Sequence, residues 1–439
     1  MAKQTPLFMC SSCGNEFTKW SGQCPACKQW NTLTEVTSFT KKTSRSSSSS
    51  SSPTKPISPQ KALSQNKNLH FPTKISELDR VLGQGITQGG IYLIAGQPGI
   101  GKSTLLTQLA LKLTSTAKKK PILYACSEEN PSQVALRIKR LQSSDHDNLH
   151  LLDTSSVETI LDNLSRQPYQ FIIIDSIQSV ATDRNPTTPG SPSQIRDSAN
   201  LFIKAAKTSQ TPLVLVGHVT KSGDLAGPKM LEHMVDTVLE LSGDKQHNLR
   251  LLRSRKNRFG PTDETGLFQM TSSGLLEIKD PSKFLLEGRL KNSPGSALGL
   301  IMEGTRPLTV EVQALVVPSN LPIPRRVSKG IRNSRLQLIC AILTKHLHLS
   351  LHDKDVFLNV TGGMDIKEPG ADLAIALSII SSVKNKPLPD KSISFGELGL
   401  LGEIRSVNFQ DKRLKEATTL GYTHIYSPKS LSHLKKLKI

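Results

Sequence analysis

Aromatic side chains are scarce in this 439-residue chain, with twelve Phe, five Tyr and two Trp amounting to 4%. Its cores must therefore rest on Ile, Leu, Val and Ala, and few rings remain for stacking on nucleic-acid bases. Long apolar runs are missing too. The strongest, such as Phe171–Ile174, are strand-sized and far short of the roughly 18 residues that mark a membrane span. The opening MAKQTPLFMC has no apolar signal core, which predicts a cytoplasmic protein with no membrane association. Six cysteines, four of them in the first 27 residues, make a poor disulfide framework for a chain of this size. Acidic charge is also short: 36 Asp and Glu face 56 Lys and Arg, for a formal net charge of +20.

That excess is unevenly spread. Residues 1–70 carry 9 basic and 2 acidic groups, residues 71–285 carry 25 and 21, and residues 286–439 carry 22 and 13. The middle is nearly balanced, as in an ordinary soluble enzyme domain. Both flanks are cationic, which suits surfaces that meet a polyanion as well as generic solubilising charge. At roughly 150 residues per domain, the length suggests about three domains. Residues 41–68 are rich in Ser, Pro and Lys with almost nothing to bury, so they read as a flexible linker. A softer boundary falls near Pro281–Lys291. The expected units are a module at 1–40, the linker at 41–68, a central domain at 69–283 and a C-terminal domain at 284–439. Strands are expected at Ile91–Ala95, Pro121–Cys126, Phe171–Asp175 and Pro212–Val216, with helices at Gly101–Leu113 and Ser132–Leu141 between them. Short apolar strands separated by helices predict an α/β domain around a parallel sheet. Past the boundary, Gly299–Ile301 and Leu308–Val317 are strand-like.

Cys10, Cys13, Cys24 and Cys27 form two CxxC knuckles separated by ten residues. Each knuckle can point two thiolates at one ion, and the pair closes a tetrahedral shell around structural Zn²⁺. So small a module lacks the core to fold alone, so metal binding would supply its folding free energy. Two disulfides or a metal-free redox pair are the competing readings. Cys126 and Cys340 sit in apolar contexts and read as small buried residues.

Gly96-Gln97-Pro98-Gly99-Ile100-Gly101-Lys102-Ser103, followed by Thr104, is a complete GxxxxGK[ST] phosphate loop between an expected strand and an expected helix. Its backbone N–H groups and the helix N-terminus would cradle the phosphates of ATP. Lys102 would reach the terminal phosphates, and Ser103 would help hold Mg²⁺. Asp175, ending a buried strand, is placed to complete the Mg²⁺ shell or, alternatively, to cap a helix. Glu128 is the residue chosen to position the attacking water, with its neighbour Glu129 the other option and a first-turn helix charge the plain reading of either. Lys256 and Arg258 would share one strand face and present two cations to a γ-phosphate, their own or a neighbouring subunit's; a solvated basic loop fits the same spacing.

These motifs together resemble the bacterial RadA/Sms family of DNA-repair proteins over essentially the whole length. The resemblance is carried by the Cys10–Cys27 knuckles with Trp20 and Trp30, by Ile75–Gly83 and by the phosphate loop. Gly217–Asp236 and Lys256-Asn-Arg-Phe-Gly260 are its most specific segments. It implies a RecA-like ATPase core followed by an α+β domain similar to that of Lon proteases. It further implies a ring-shaped homo-hexamer whose ATPase is stimulated by single-stranded or branched DNA, promoting branch migration alongside the strand-exchange recombinase. On that pattern Lys256 and Arg258 would couple ATP and DNA binding across subunits, Gly217–Gly227 would face the DNA channel, and His218 would sense the γ-phosphate. A nucleotide-switched scaffold that never moves DNA is the alternative.

The chain departs from the protease pattern. Ala371 stands where the nucleophilic Ser is expected and Asp411 near the expected Lys, with Lys412 beside it, so no peptidase activity is expected. Arg325, Arg326, Lys329, Arg332 and Arg335 put five cations into eleven residues with no acid among them. The spacing of Arg325, Lys329 and Arg332 predicts one face of a helix that could neutralise DNA phosphates or simply be solvated.

Overall fold

The computed structural model describes residues 7–10, 15–36, 58, 60, 70–114, 120–141, 147–218, 228–243 and 248–437. The expected linker lies outside the described residues except for Ser58 and Gln60, and so do Cys13, Gly14 and residues 219–227.

The N-terminal module is a three-stranded antiparallel sheet of β1 (Leu7–Cys10), β2 (Glu16–Phe17) and β3 (Leu33–Val36), with β1 in the middle. Its buried core is Cys10, Cys24 and Leu33, with Phe8, Phe17 and Cys27 packed against it.

Alternation in short apolar strands builds the central domain. Strands β4 (Ile91–Gly96), β5 (Ile122–Cys126), β6 (Leu149–Asp153), β7 (Phe171–Asp175), β8 (Leu213–His218) and β9 (Thr237–Ser242) run parallel. Strands β10 (Leu249–Asn257), β11 (Thr265–Thr271) and β12 (Gly274–Glu277) extend the sheet antiparallel. The order is β12-β11-β10-β9-β4-β8-β7-β5-β6. Successive side chains point to opposite faces. Tyr92, Ile94, Phe171 and Ile173 thus enter one core with helices α1 (Ser76–Leu82), α2 (Lys102–Thr114) and α3 (Pro131–Leu141). Ile91, Leu93, Ile172 and Ile174 enter the other, under α4 (Val157–Arg166), α5 (Pro192–Ser209) and the C-terminal end of α6 (Pro228–Met234). Each such fully buried side chain contributes roughly 1.5–3 kcal/mol. Ser156 and Ser191 cap α4 and α5 by accepting from the backbone N–H groups of Thr159 and Gln194.

The C-terminal domain carries a six-stranded mixed sheet. Its strands are β13 (Ser296–Glu303), β14 (Arg306–Pro318), β15 (Arg326–Lys329), β16 (Lys354–Val360), β17 (Ser392–Ser394) and β18 (His424–Tyr426), ordered β15-β16-β14-β13-β17-β18. Helices α7 (Asn333–Leu347) and α8 (Asp372–Lys384) bury Leu336, Ile339, Leu373 and Ile375 against Leu308, Val310 and Val312; helix α9 (Gln410–Thr419) follows. The same apolar cluster takes in Leu249, Leu251, Leu267 and Ile278 of the central domain, so the two domains share one core. At their junction Arg306 reaches Glu77 at 2.6 Å and Arg253 reaches Glu303 at 2.6 Å. Gly304 turns the β13–β14 hairpin at φ +64, where a Cβ would stand 1.8 Å from the carbonyl oxygen of Asp263.

One expectation fails here. The cations from Arg325 to Arg332 do not share a helix: Arg326–Lys329 is a strand, and α7 starts only at Asn333. Pro324 disfavours helix before it, Val327 suits a pleated strand, and Gly330 at φ +86 breaks the chain. With a period of two, Arg325 and Lys329 still share a face, both exposed, while Arg326 points to the other.

Candidate ATPase and metal sites

Gly101, at φ +117, turns the chain from β4 into α2, whose first residue is Lys102. The Lys102 side chain is buried over its own loop. Its amine donates to the carbonyls of Gly96 at 2.9 Å and Gln97 at 3.1 Å, and lies 3.2 Å from His218 Nδ1. The other ring nitrogen of His218, Nε2, is 3.0 Å from Glu128 Oε2. An ammonium donating to Nδ1 leaves the ring proton on Nε2, which then donates to Glu128. Strand ends β4, β8 and β5 are thereby joined in one polar chain at the carboxyl edge of the sheet, where ligands of α/β sheets collect. Burial pulls the Lys102 pKa below the ordinary lysine value, and the carboxylates of Asp175 and Glu128 partly offset that pull.

Asp175 faces the same loop. Its carboxylate accepts from the Tyr124 hydroxyl at 2.6 Å and from the Ser103 hydroxyl. Burial holds its pKa above the usual carboxylate range, against the lowering effect of those two hydrogen bonds. Ser103 and Asp175, the two residues expected to hold Mg²⁺, are therefore side by side, a hydroxyl and a carboxylate of the hard-oxygen type that ion takes. No helix follows Asp175 directly; the next one starts at Pro192, so the capping alternative finds no helix to cap. The two neighbouring glutamates diverge. Glu128 joins His218, whereas Glu129 turns to Arg137 on α3 in an ion pair. Tyr124, and Arg250, which donates to the Ile100 carbonyl at 3.1 Å behind the loop, border the site, and no local signal in the sequence singles them out.

Lys256 and Arg258 lie elsewhere. The β9–β10 register slips between Val238 and Leu239, so that Lys256 pairs with Val238 and Ser254 with Leu239. Such a slip re-aims the strand. The Lys256 amine donates to the carbonyls of Glu232 at 2.6 Å and Val235 at 2.8 Å. Arg258, one residue past the strand, donates to Asp236 Oδ1 at 3.2 Å, and Asp236 Oδ2 accepts from the backbone N–H of Ile91 at 3.1 Å. Ile91 begins β4, while the phosphate loop leaves its far end. Five residue steps separate these ends, about 17 Å at roughly 3.3 Å each. The two cations thus sit together, at the edge of the sheet opposite to their own chain's phosphate loop.

In the N-terminal module the sulfurs of Cys10, Cys24 and Cys27 all lie within 4.8 Å of one another, and Cys10 and Cys27 are 3.6 Å apart. A tetrahedral shell with Zn–S of about 2.3 Å places its sulfurs about 3.8 Å apart, so the three described thiols fit zinc. Cys13, the fourth expected ligand, is outside the described residues.

Three known families match separate stretches of the chain. Residues 8–35 match the rubredoxin metal binding domain family, residues 58–224 the AAA domain family, and residues 319–430 the family of subunit ChlI of Mg-chelatase. The DNA repair protein RadA of Pseudomonas aeruginosa is 42% identical over 428 residues, covering 98% of this chain and 94% of that protein. Its Bacillus subtilis counterpart is 42% identical over 98% of this chain and 93% of its own length, and that of Haemophilus influenzae 44% identical over 96% and 92%. The chain belongs to the RadA family. A solved structure of an isolated ATPase domain aligns with a TM-score of 0.43 at 15% identity, covering 51% of this chain and all of that one.

This RadA family member has the RecA-like ATPase core, the zinc-ribbon-like module and the Lon-protease-like C-terminal domain that its motifs imply. In the last, Ala371 is buried immediately before α8. Asp411 is exposed and paired with Lys429 at 2.8 Å, and Lys412 donates to the carbonyl of Thr305. Arg413, fully buried, forms an ion pair with Glu368 at 2.6 Å and lies 5.8 Å from the Phe395 ring centroid. Of the basic cluster, Arg325, Lys329 and Arg332 are exposed. Arg326 instead donates to the carbonyls of Leu351 at 2.6 Å and Arg325 at 3.0 Å, and Arg335 pairs with Asp372. Among the described residues no helix is long and apolar enough to cross a membrane.

Proposed function

We propose that this chain is a DNA-stimulated ATPase of recombinational DNA repair. It would work as a ring-shaped homo-hexamer on single-stranded or branched DNA, promoting branch migration with the strand-exchange recombinase. The observation that carries this reading is the polar chain Lys102–His218–Glu128. It ties the phosphate loop to a water-positioning carboxylate through the residue that leads into 219–227, the segment expected to meet DNA. In this scheme backbone N–H groups of Gly96–Thr104 bind the phosphates, Lys102 neutralises the terminal ones, and Ser103 and Asp175 hold Mg²⁺, which supplies charge neutralisation when bound. Glu128 orients the attacking water. A phosphate that draws Lys102 from His218 frees the ring to reorient, so nucleotide state and the adjoining segment are coupled. Lys256 and Arg258, turned away from their own loop, serve the nucleotide of a neighbouring subunit. Zn²⁺ holds the N-terminal module together through Cys10, Cys24, Cys27 and Cys13.

Exposed Arg325, Lys329 and Arg332 are assigned to DNA phosphates, while Arg326 is committed to backbone carbonyls and braces that strand. With Ala371 and Asp411 in place of a Ser–Lys pair, the C-terminal domain acts without peptide cleavage.

The test is ATP hydrolysis with and without single-stranded DNA at two salt concentrations, for wild type and Lys102→Ala. Stimulation that salt weakens and the variant abolishes is expected. Hydrolysis indifferent to DNA would overturn the reading in favour of a nucleotide-switched scaffold.

A further inference from the structure

We infer that Trp20 and Trp30 form a base-stacking platform for single-stranded nucleic acid on the zinc-binding module. This deepens the reading of the chain as a DNA-binding ATPase and rests on it. The module has little core, yet its two largest apolar side chains stay outside it: Trp20 is 60% and Trp30 70% exposed. They are the only two tryptophans in the chain. Both rings converge over Gly22, where an added Cβ would lie 3.7 Å from the Trp30 ring and 3.9 Å from that of Trp20, so the two indoles meet on one side of this turn. The backbone beneath is tied down. Asn31 N–H donates to the Gly22 carbonyl at 2.7 Å, Gln23 bridges Trp30, and the Gln23 side chain donates to the Lys28 carbonyl at 2.8 Å. The rings are thus presented by a preorganised turn, which limits the entropy lost on binding.

Charge favours a polyanion over an apolar protein groove. Lys19 and Lys28 are exposed and lie close to the two tryptophans in the sequence; Glu16 and Glu35 balance them within the module, and residues 41–68 add six cations and no acid. Sequence-independent single-strand binding combines such cations with aromatic faces, because every base has a π-face to stack. Elsewhere the described residues offer little of the kind: the other large exposed aromatic side chain is Phe409.

The chain's own fluorescence tests the inference, since its tryptophan emission arises from this surface alone. Titrating the zinc-loaded full chain with oligo(dT) should quench that emission, and an abasic oligonucleotide of equal length should not. Trp20→Ala and Trp30→Ala should each weaken oligo(dT) binding about tenfold, and Trp30→Phe should recover most of the loss. Zinc content separates loss of stacking from loss of the fold; if an alanine variant loses zinc, the Phe variant and the wild-type titration decide. Normal oligo(dT) binding and DNA-stimulated hydrolysis without quenching, or equal quenching by the abasic strand, would overturn this inference alone. Quenching by the recombinase with none by oligo(dT) would overturn it in favour of a protein partner. If a labelled oligonucleotide fails to bind the chain at all, the inference and the DNA-binding reading fall together.

Discussion

Mixing two inactive variants offers a sharp test of where Arg258 acts. Arg258 and Lys256 are anchored at Asp236 and at the carbonyls of Glu232 and Val235, on the entry edge of the central sheet. About 17 Å of strand separates that edge from the loop holding Lys102 in the same chain, at roughly 3.3 Å per residue. An arginine side chain cannot span that gap, so under the proposed function a complete site takes Lys102 from one subunit and Arg258 from the next. Arginine fingers supplied in this way are worth about 10³–10⁵ in rate, so Arg258→Ala alone should be nearly inactive, as should Lys102→Ala. In rings co-assembled from equal amounts of the two, roughly half the interfaces bring an intact loop and half of those an intact Arg258. About one site in four is then whole, because a head-to-tail interface uses a different surface on each side. Steady-state hydrolysis of the mixture should far exceed the sum of the separate variants. A mixture no better than that sum would refute action across subunits. A double variant carrying both substitutions, mixed with wild type, provides the control for co-assembly.

The remaining site residues make separate predictions. Glu128→Gln should lower hydrolysis about 10²–10⁴-fold while leaving ATP binding intact, and Glu129→Gln should not; equal losses in single-turnover assays would remove the distinction. Tyr124→Phe deletes a hydrogen bond that pulls the Asp175 pKa down against burial, so that pKa should rise further. Because the proposed Mg²⁺ site needs Asp175 ionised, the acid limb of the pH–rate profile should move to higher pH, and an unmoved limb would sink the argument. Arg413→Leu strands Glu368 without its buried partner, a loss of about 3–5 kcal/mol. Calorimetry should show the transition falling by on the order of 10 °C, and an unchanged Tm would show that the pair contributes nothing.

Much of this molecule was legible in the chain alone. The strands at Ile91, Ile122, Phe171 and Leu213 begin within a residue of where apolar runs placed them, because a strand buried on both faces has no other way to be written. The phosphate loop and the thiol knuckles were equally plain, since their chemistry fixes both residue type and spacing. What failed was local reading of polar residues. Periodicity gave Arg325, Lys329 and Arg332 a helix, but Pro324, Gly330 and pairing with β16 made them a strand and its flank. Nothing in the expected strand Pro121–Cys126 marked Tyr124, and only the approach of β7 beside β5 made its hydroxyl a partner of Asp175.

By itself, then, the sequence determined the elements and the ligand chemistry, which depend on neighbours a few residues away. Tertiary structure alone decided that Glu128 and not its neighbour meets His218, and that Lys256 and Arg258 face away from their own loop. Those outcomes depend on strand order and register, set by contacts between residues far apart in the chain, which no local pattern encodes.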